Sequence, residues 1–200
     1  MSVVLEPATP PVDLYAQLEA LPDRLTGEII GGHLYAHPRP AGPHASAGSG
    51  LGGELYGPYQ RGRGGPGGWW ILDEPEVHFI RDVEVAVPDL AGWRRVRMPR
   101  VPRDHRFEIV PDWICEILSP STARIDRVVK MPIYARYGVP YLWLVDPLAH
   151  ILEAFALRDE RWTVIGLFQE QDTVTVEPFA EVALDLGGLW AETQEDPTKG

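Results

Sequence analysis

The chain has 200 residues, 44% of them hydrophobic, a single cysteine and a net charge of −11. This supports one substantial core rather than two ordinary domains, and it excludes a disulfide framework, a thiolate zinc cluster and retention of nucleic acid by bulk charge. No apolar run reaches membrane-spanning length and MSVVLEPATPP has no basic start, so the expectation is a cytoplasmic protein with no membrane partner.

Residues 1–11 are expected to be flexible, 12–190 to form one domain and 191–200 to fray. Leu14, Leu18 and Leu21 have helical spacing and end at Pro22, which predicts a short lead-in helix. Thr26 to Ile30 and His33 to His37 flank Gly31-Gly32, a hairpin signal that puts Glu28 near a sheet edge. His33 and His37 lack a carboxylate pattern and are read as strand positions rather than zinc ligands. Pro38 to Pro43 reads as a loop. His44 to Tyr59 reads as a helix whose glycines at 48, 50, 52 and 53 imply tight packing on a sheet.

Arg61 to Gly68, RGRGGPGG, lacks the lysine of a phosphate-binding loop and is read as a flexible connection. Trp69 to Leu72, Val77 to Ile80 and Val83 to Val87 are strand-like, the last carrying Glu84 and running into Pro88-Asp89. Between Trp93 and Arg106 six arginines stand against Asp104 alone, although the chain from Asp146 onward holds 12 acidic and 3 basic residues. A basic loop in an acidic chain is either a solvated, internally paired segment or a surface for an anionic ligand.

The most informative stretch is PDWICEILSPSTARIDRVVKMPIYARYGVPYLWLVDP, residues 111–147. Ile114, Cys115, Ile117 and Leu118 bracket Glu116 in a strand apolar on both faces, where a carboxylate must be paired, bonded, in a polar cleft or a ligand. Ser121 or Thr122 can cap the following helix, which carries Asp126 and Lys130 on one face, is interrupted at Pro132 and ends at Gly138. Tyr141 to Val145 is a second strand, so the unit is strand, helix, strand, and it favours a mixed or parallel sheet. Asp112 shares the strand with Glu116 but lies about 13 Å away, too far for one ion to bridge, and reads as a strand-start residue. Downstream, Ile151 to Leu157 and Trp162 to Leu167 form a hairpin, Thr173 to Val176 a strand, and Val182 to Trp190 apolar packing.

Pro88-Asp89, Glu116 in an apolar strand and a lysine on the next helix resemble the PD-(D/E)XK nuclease superfamily. VPDLAGW, PDWICEILSPST, the Asp126/Lys130 pair and YARYGVPYLWLVDP resemble, more narrowly, the Uma-two family of bacterial restriction endonucleases. The resemblance implies a mixed α/β, restriction-endonuclease-like domain: a central mixed sheet flanked by helices, with additional β-hairpins. It implies a metal-dependent endonuclease acting on DNA, with Asp89, Glu116 and the Ile117 carbonyl as ligands of Mg²⁺ or Mn²⁺, because phosphodiester hydrolysis needs a hard cation held by oxygen. It also places Glu28 beyond the direct ligands and His44 at the substrate phosphate or water.

The superfamily's lysine two residues after the glutamate is here Leu118, and Lys130 is the expected substitute. With 16 arginines and only two lysines, Lys130 and Lys199, a lysine at this position suggests a need for a compact ammonium, although an ordinary helix pair with Asp126 is the plain alternative. As an exposed pair, Lys130→Ala would leave the melting temperature nearly unchanged. The loop with Arg94, Arg95 and Arg97 is expected beside the cleft on DNA phosphates, and a homodimer is expected through Phe155, Trp162 and Phe168. The competing reading is a non-catalytic nucleic-acid- or protein-binding module that keeps the nuclease fold.

Overall fold

The computed structural model describes residues 13–38 and 42–191. The expected flexible start, the frayed end beyond residue 191 and part of the Pro38 to Pro43 loop lie outside them. Helix α1 (Leu14–Glu19) leads into strands β1 (Leu25–Ile30) and β2 (His33–Pro38), then helix α2 (Gly42–Leu55), which runs on as a π-helical turn (Tyr56–Gln60). Strands β3 (Trp69–Asp73), β4 (Glu76–Ile80), β5 (Glu84–Ala86), β6 (Leu90–Arg94), β7 (Arg106–Phe107) and β8 (Trp113–Ile117) follow. The chain then forms α3 (Ala123–Ile125), a second π turn (Asp126–Lys130), α4 (Met131–Arg136), β9 (Tyr141–Asp146), β10 (Ile151–Arg158), β11 (Arg161–Gln169), β12 (Thr173–Val174) and β13 (Leu184–Asp185).

Two main sheets result. The larger has the order β11-β10-β9-β8-β6-β3 and the smaller β2-β1-β5-β4-β7. In the larger sheet β8 and β9 are parallel, as a strand–helix–strand crossover requires, and the other pairs are antiparallel. Pairing alternates the side chains of β8 between two cores. Trp113, Cys115 and Ile117 face α2 and the C-terminal segment. Ile114 and Leu118 face α4 and the smaller sheet. Burial on both faces is why this strand reads as continuously apolar.

The first core centres on Phe179, whose ring lies 4.6 Å from Tyr59, 5.0 Å from Trp69, 4.9 Å from Trp113 and 5.5 Å from Trp143. Phe179→Ala would empty the middle of this aromatic cluster and should cost about 3–5 kcal/mol, measurable by urea unfolding.

Several expectations are corrected. The RGRGGPGG segment is a tight loop rather than a flexible connection: Gly67 N–H donates to Pro58 O at 2.9 Å, and a Cβ on Gly65 would meet Pro58 Cβ at 2.4 Å. Of the α2 glycines, Gly48 and Gly50 do allow close approach, to Ile117 and Leu189, whereas a Cβ on Gly53 would meet nothing. The segment before α3 is capped by Ser119, whose Oγ accepts from Thr122 N–H at 3.2 Å, not by Ser121 or Thr122. Pro132 does mark a break in the regular helix, which restarts as α4 with the proline in its first turn. The wider π turn before it accommodates a residue that lacks an N–H and would clash in a regular turn, and α4 ends at Arg136 with Gly138 just beyond it at φ 75°.

The side chains expected at a dimer contact are engaged inside the fold. Phe155 is buried against α4's core, Trp162 Nε1 donates to Met131 O at 2.8 Å, and Phe168 packs on the aromatic core. Val164 and Leu167 are the large apolar residues that β11 leaves exposed. No described helix is long and apolar enough to cross a membrane.

Candidate active site

The candidate site lies where the two sheets meet. Asp89 is one residue before β6, and the antiparallel register Leu90↔Cys115 makes Asp89 and Glu116 the next pair outward. Opposed residues of adjacent strands share a face with Cβ atoms about 5 Å apart. Because Leu90 and Cys115 face α2, Asp89 and Glu116 both face the smaller sheet. A cleft of about 300 Å³ is lined there by Glu28, His37, His44, Asp89, Glu116 and Lys130, among others.

Each side chain is placed by a different element. Glu28 projects from β1, fully buried, and accepts Val87 N–H at 2.8 Å. Lys130 ends the π turn, and its Nζ lies 2.9 Å from Glu28 Oε1, 2.9 Å from Glu116 Oε1 and 3.6 Å from Asp126 Oδ1. His44, on the first turn of α2, puts Nε2 3.2 Å from Asp89 Oδ1, and Ile117 N–H donates to Asp89 Oδ2 at 2.6 Å. His37 Nε2 is 3.4 Å from the second oxygen of Glu28.

Lys130 is therefore not an exposed helix-surface residue: it is 4% exposed and Asp126 is equally buried. Four carboxyl groups, on Glu28, Asp89, Glu116 and Asp126, share one ammonium and the imidazole of His44. Burial raises Glu28's carboxyl, but the Lys130 ammonium and the bonds from His37 and Val87 outweigh it and hold the group below its usual range. Burial pushes Glu116 well above its usual range in spite of Lys130, helped by the charges of Asp126, Asp89 and Glu28. Burial also lifts Asp126. Burial opposes charge on Lys130, but Glu116 and Glu28 hold its ammonium well above the ordinary lysine range.

His44 is pulled down by burial, but the bond and charge of Asp89 prevail and its imidazole titrates above 6.5. A raised histidine contributes stability that is fully present below its unfolded value and is lost as pH rises through the folded one. An NMR titration should show this histidine titrating above an ordinary histidine, and Asp89→Asn should bring it down.

Sequence reasoning missed Tyr134. Its hydroxyl, fully buried, donates to Glu116 Oε1, the oxygen that Lys130 also holds, so the other carboxylate oxygen is the one left to the cleft. Lys130 and Tyr134 are four residues apart on one helical run, a spacing that could have flagged the tyrosine.

The arginines are not brought to the cleft. Arg94 closes β6 at the end opposite Asp89, roughly 16 Å away at about 3.3 Å per residue. Arg94 stacks on Trp69 with its guanidinium 4.5 Å from the ring centre, and Arg95 stacks on Trp70 at 4.0 Å. Arg95 also donates to Trp69 O and Gln60 O, and Arg97 pairs with Asp112 at 2.8 Å. Asp112 accepts Arg94 N–H as well, so it too belongs to this far end.

Residues 12–187 match the family Uma2, described as "Putative restriction endonuclease", and the chain belongs to that family. A crystal structure from Anabaena variabilis, described as "a putative nuclease", superimposes with a TM-score of 0.71 at 24% identity, covering 90% of this chain and 98% of that one. No curated protein matches. The fold is thus the expected mixed α/β, restriction-endonuclease-like one.

Proposed function

We propose that the chain is an endonuclease that hydrolyses DNA phosphodiester bonds in the cleft between its sheets, using Mg²⁺ or Mn²⁺. The observation that carries this reading is the placement of Lys130, whose ammonium sits 2.9 Å from Glu116 beside Asp89 although Leu118 occupies the superfamily's usual lysine position. Leu118 is buried in the second core, so a lysine there would have to leave the core to act.

The donor set fits a hard cation. Among the described residues no three histidine, cysteine, aspartate or glutamate side chains are grouped to hold a metal. Two carboxylates, Asp89 and Glu116, and the Ile117 carbonyl suit an ion such as Mg²⁺ that keeps several waters and takes few protein ligands. In an extended strand a residue's N–H and C=O leave on one edge, and the Ile117 N–H meets Asp89. The excess of buried carboxyl groups over cations is a further reason for a divalent ion to bind. When bound, it would neutralise charge on the phosphoryl oxygens and activate the attacking water.

The chain's own groups set the rest. Lys130, fixed between Glu28 and Glu116, can turn its third proton from Asp126, 3.6 Å away, to a phosphate oxygen or to the water, and swinging away would break both close ion pairs. Tyr134 orients Glu116. His44, bonded to Asp89, faces the cleft, where its imidazole can donate to a substrate phosphate. Glu28 acts through Lys130 and need not touch the ion. Since Glu116 must lose its proton to act as a ligand, metal affinity should rise with pH.

The test is incubation of metal-stripped protein with supercoiled plasmid and Mg²⁺ or Mn²⁺. Nicking that a chelator stops and that Glu116→Gln lacks supports the reading. Absence of nicking across both metals would favour the non-catalytic module instead.

A further inference from the structure

The end of the molecule away from the cleft carries an exposed arginine surface. Arg61 and Arg63 lie on the loop after α2's π turn, Arg94 closes β6, and Arg95 and Arg97 follow it. The two segments touch, since Arg95 N–H donates to Gly68 O at 2.8 Å and its guanidinium to Gln60 O at 2.9 Å. Arg61, Arg63, Arg94 and Arg97 are exposed, and among the described residues neither Arg61 nor Arg63 has an ion-pair partner. Stacking of Arg94 and Arg95 on Trp69 and Trp70 fixes two guanidinium planes at the surface without neutralising them. Asp112 answers Arg97. In a chain of net charge −11, these five neighbouring arginines are answered by Asp112 at Arg97 and have Glu177 nearby on Tyr141, so Arg61 and Arg63 supply the unanswered charge of a surface suited to an anion.

We propose that this corner binds the phosphodiester backbone of the nucleic acid whose scissile bond lies in the cleft, an inference that rests on the nuclease reading above. The cleft itself is acidic and repels a polyanion unless cations intervene, so purchase on the substrate has to come from elsewhere on the surface. The corner is suitably spaced. It lies roughly 16 Å from Asp89 along β6, and roughly 26 Å separates His44 from Arg61 along α2. These spans correspond to about five to eight phosphate steps of a duplex strand at 3.4 Å each. Between them a groove of about 420 Å³ runs beside α2, with Tyr56 43% exposed on it as a ring for a sugar or base to lie against. Asp73, at the groove's cleft end, is raised by burial and by Asp89, and it extends the acidic region, which leaves the arginine end as the anchoring one.

The experiment is fluorescence anisotropy with a labelled 20-base-pair duplex and with its single strand, in EDTA and over a range of NaCl, for the wild type and the double variant Arg61→Glu/Arg63→Glu. Both positions are exposed, so melting should be unchanged. The slope of log affinity against log salt should fall by about 1.8 on duplex, or about 1.4 on single strand, at about 0.9 and 0.7 per phosphate contact. Affinity at low salt should fall at least tenfold. Loss on either probe supports the corner and identifies the form of nucleic acid it takes. If the wild type binds and the double variant binds equally with the same slope, the corner is refuted while the nuclease reading stands. If the wild type binds neither probe and nicks no plasmid, the nuclease reading falls and this inference with it.

Discussion

Lys130→Ala should destabilise the protein by about 3–5 kcal/mol at neutral pH, the range for removing one partner from a buried charge cluster. This reverses the expectation for an exposed helix pair. In the fold the ammonium lies within 2.9 Å of both Glu28 and Glu116, and all three residues are buried. Without it the buried carboxyl groups of Glu28 and Glu116 face one another with no ammonium between them, which favours their protonated forms. Glu28 then loses the charge that holds it low, and Glu116 rises further. A carboxyl raised in the folded state gives stability that is present at low pH and lost as pH climbs from its unfolded value through its folded one. The variant's deficit should therefore shrink on acidification, read by urea unfolding across the acid to neutral range. Glu28→Gln added to Lys130→Met should recover part of the loss, since one buried charge has been removed and the lysine's volume kept. Equal stability of Lys130→Ala and wild type would show that the ammonium points to solvent.

Removal of Asp89 has the other large effect. A divalent ion that binds only the folded protein at a hundredfold excess over its Kd stabilises it by about 2.7 kcal/mol. Millimolar Mg²⁺ or Mn²⁺ should accordingly raise the melting temperature of the wild type. Asp89→Ala should abolish that rise, while also freeing His44 and leaving the Ile117 N–H without its acceptor. An Asp89→Ala protein that still gains stability from metal would move the ligand set to the remaining carboxylates.

Much of this arrangement was legible in the chain because local signals agreed with the tertiary structure. The Gly31-Gly32 turn specifies the β1–β2 hairpin, and the apolar run around Glu116 specifies a strand buried on both faces. The crossover to Tyr141–Asp146 follows from right-handed connection of parallel strands. The misplacement of the arginines had one physical origin: charge was read without strand direction. Leu90–Arg94 is a strand of only five residues, weakened in propensity by Ala91 and Gly92, and its last two residues, Trp93 and Arg94, read instead as the start of the arginine-rich loop. Once it is a strand, Asp89 and Arg94 stand at its opposite ends, and the arginines leave the cleft. The burial of Lys130 was hidden for a related reason. An i,i+4 acid–base pair is usually a solvated helix face, and its burial here depends on Glu28, brought up by a second sheet whose docking no local pattern encodes.

The most direct test of the account compares the wild type with Glu28→Gln/Lys130→Met in a plasmid-nicking assay, with Mn²⁺ binding measured on the same samples. The double substitution removes the ammonium while limiting the charge imbalance that would otherwise confound the result with unfolding. The account predicts that the double variant binds Mn²⁺ and melts as a folded protein, yet nicks plasmid at least a hundredfold more slowly than wild type, the scale of losing a preorganised donor to the reacting phosphate. Nicking at the wild-type rate by a variant without this ammonium would contradict it.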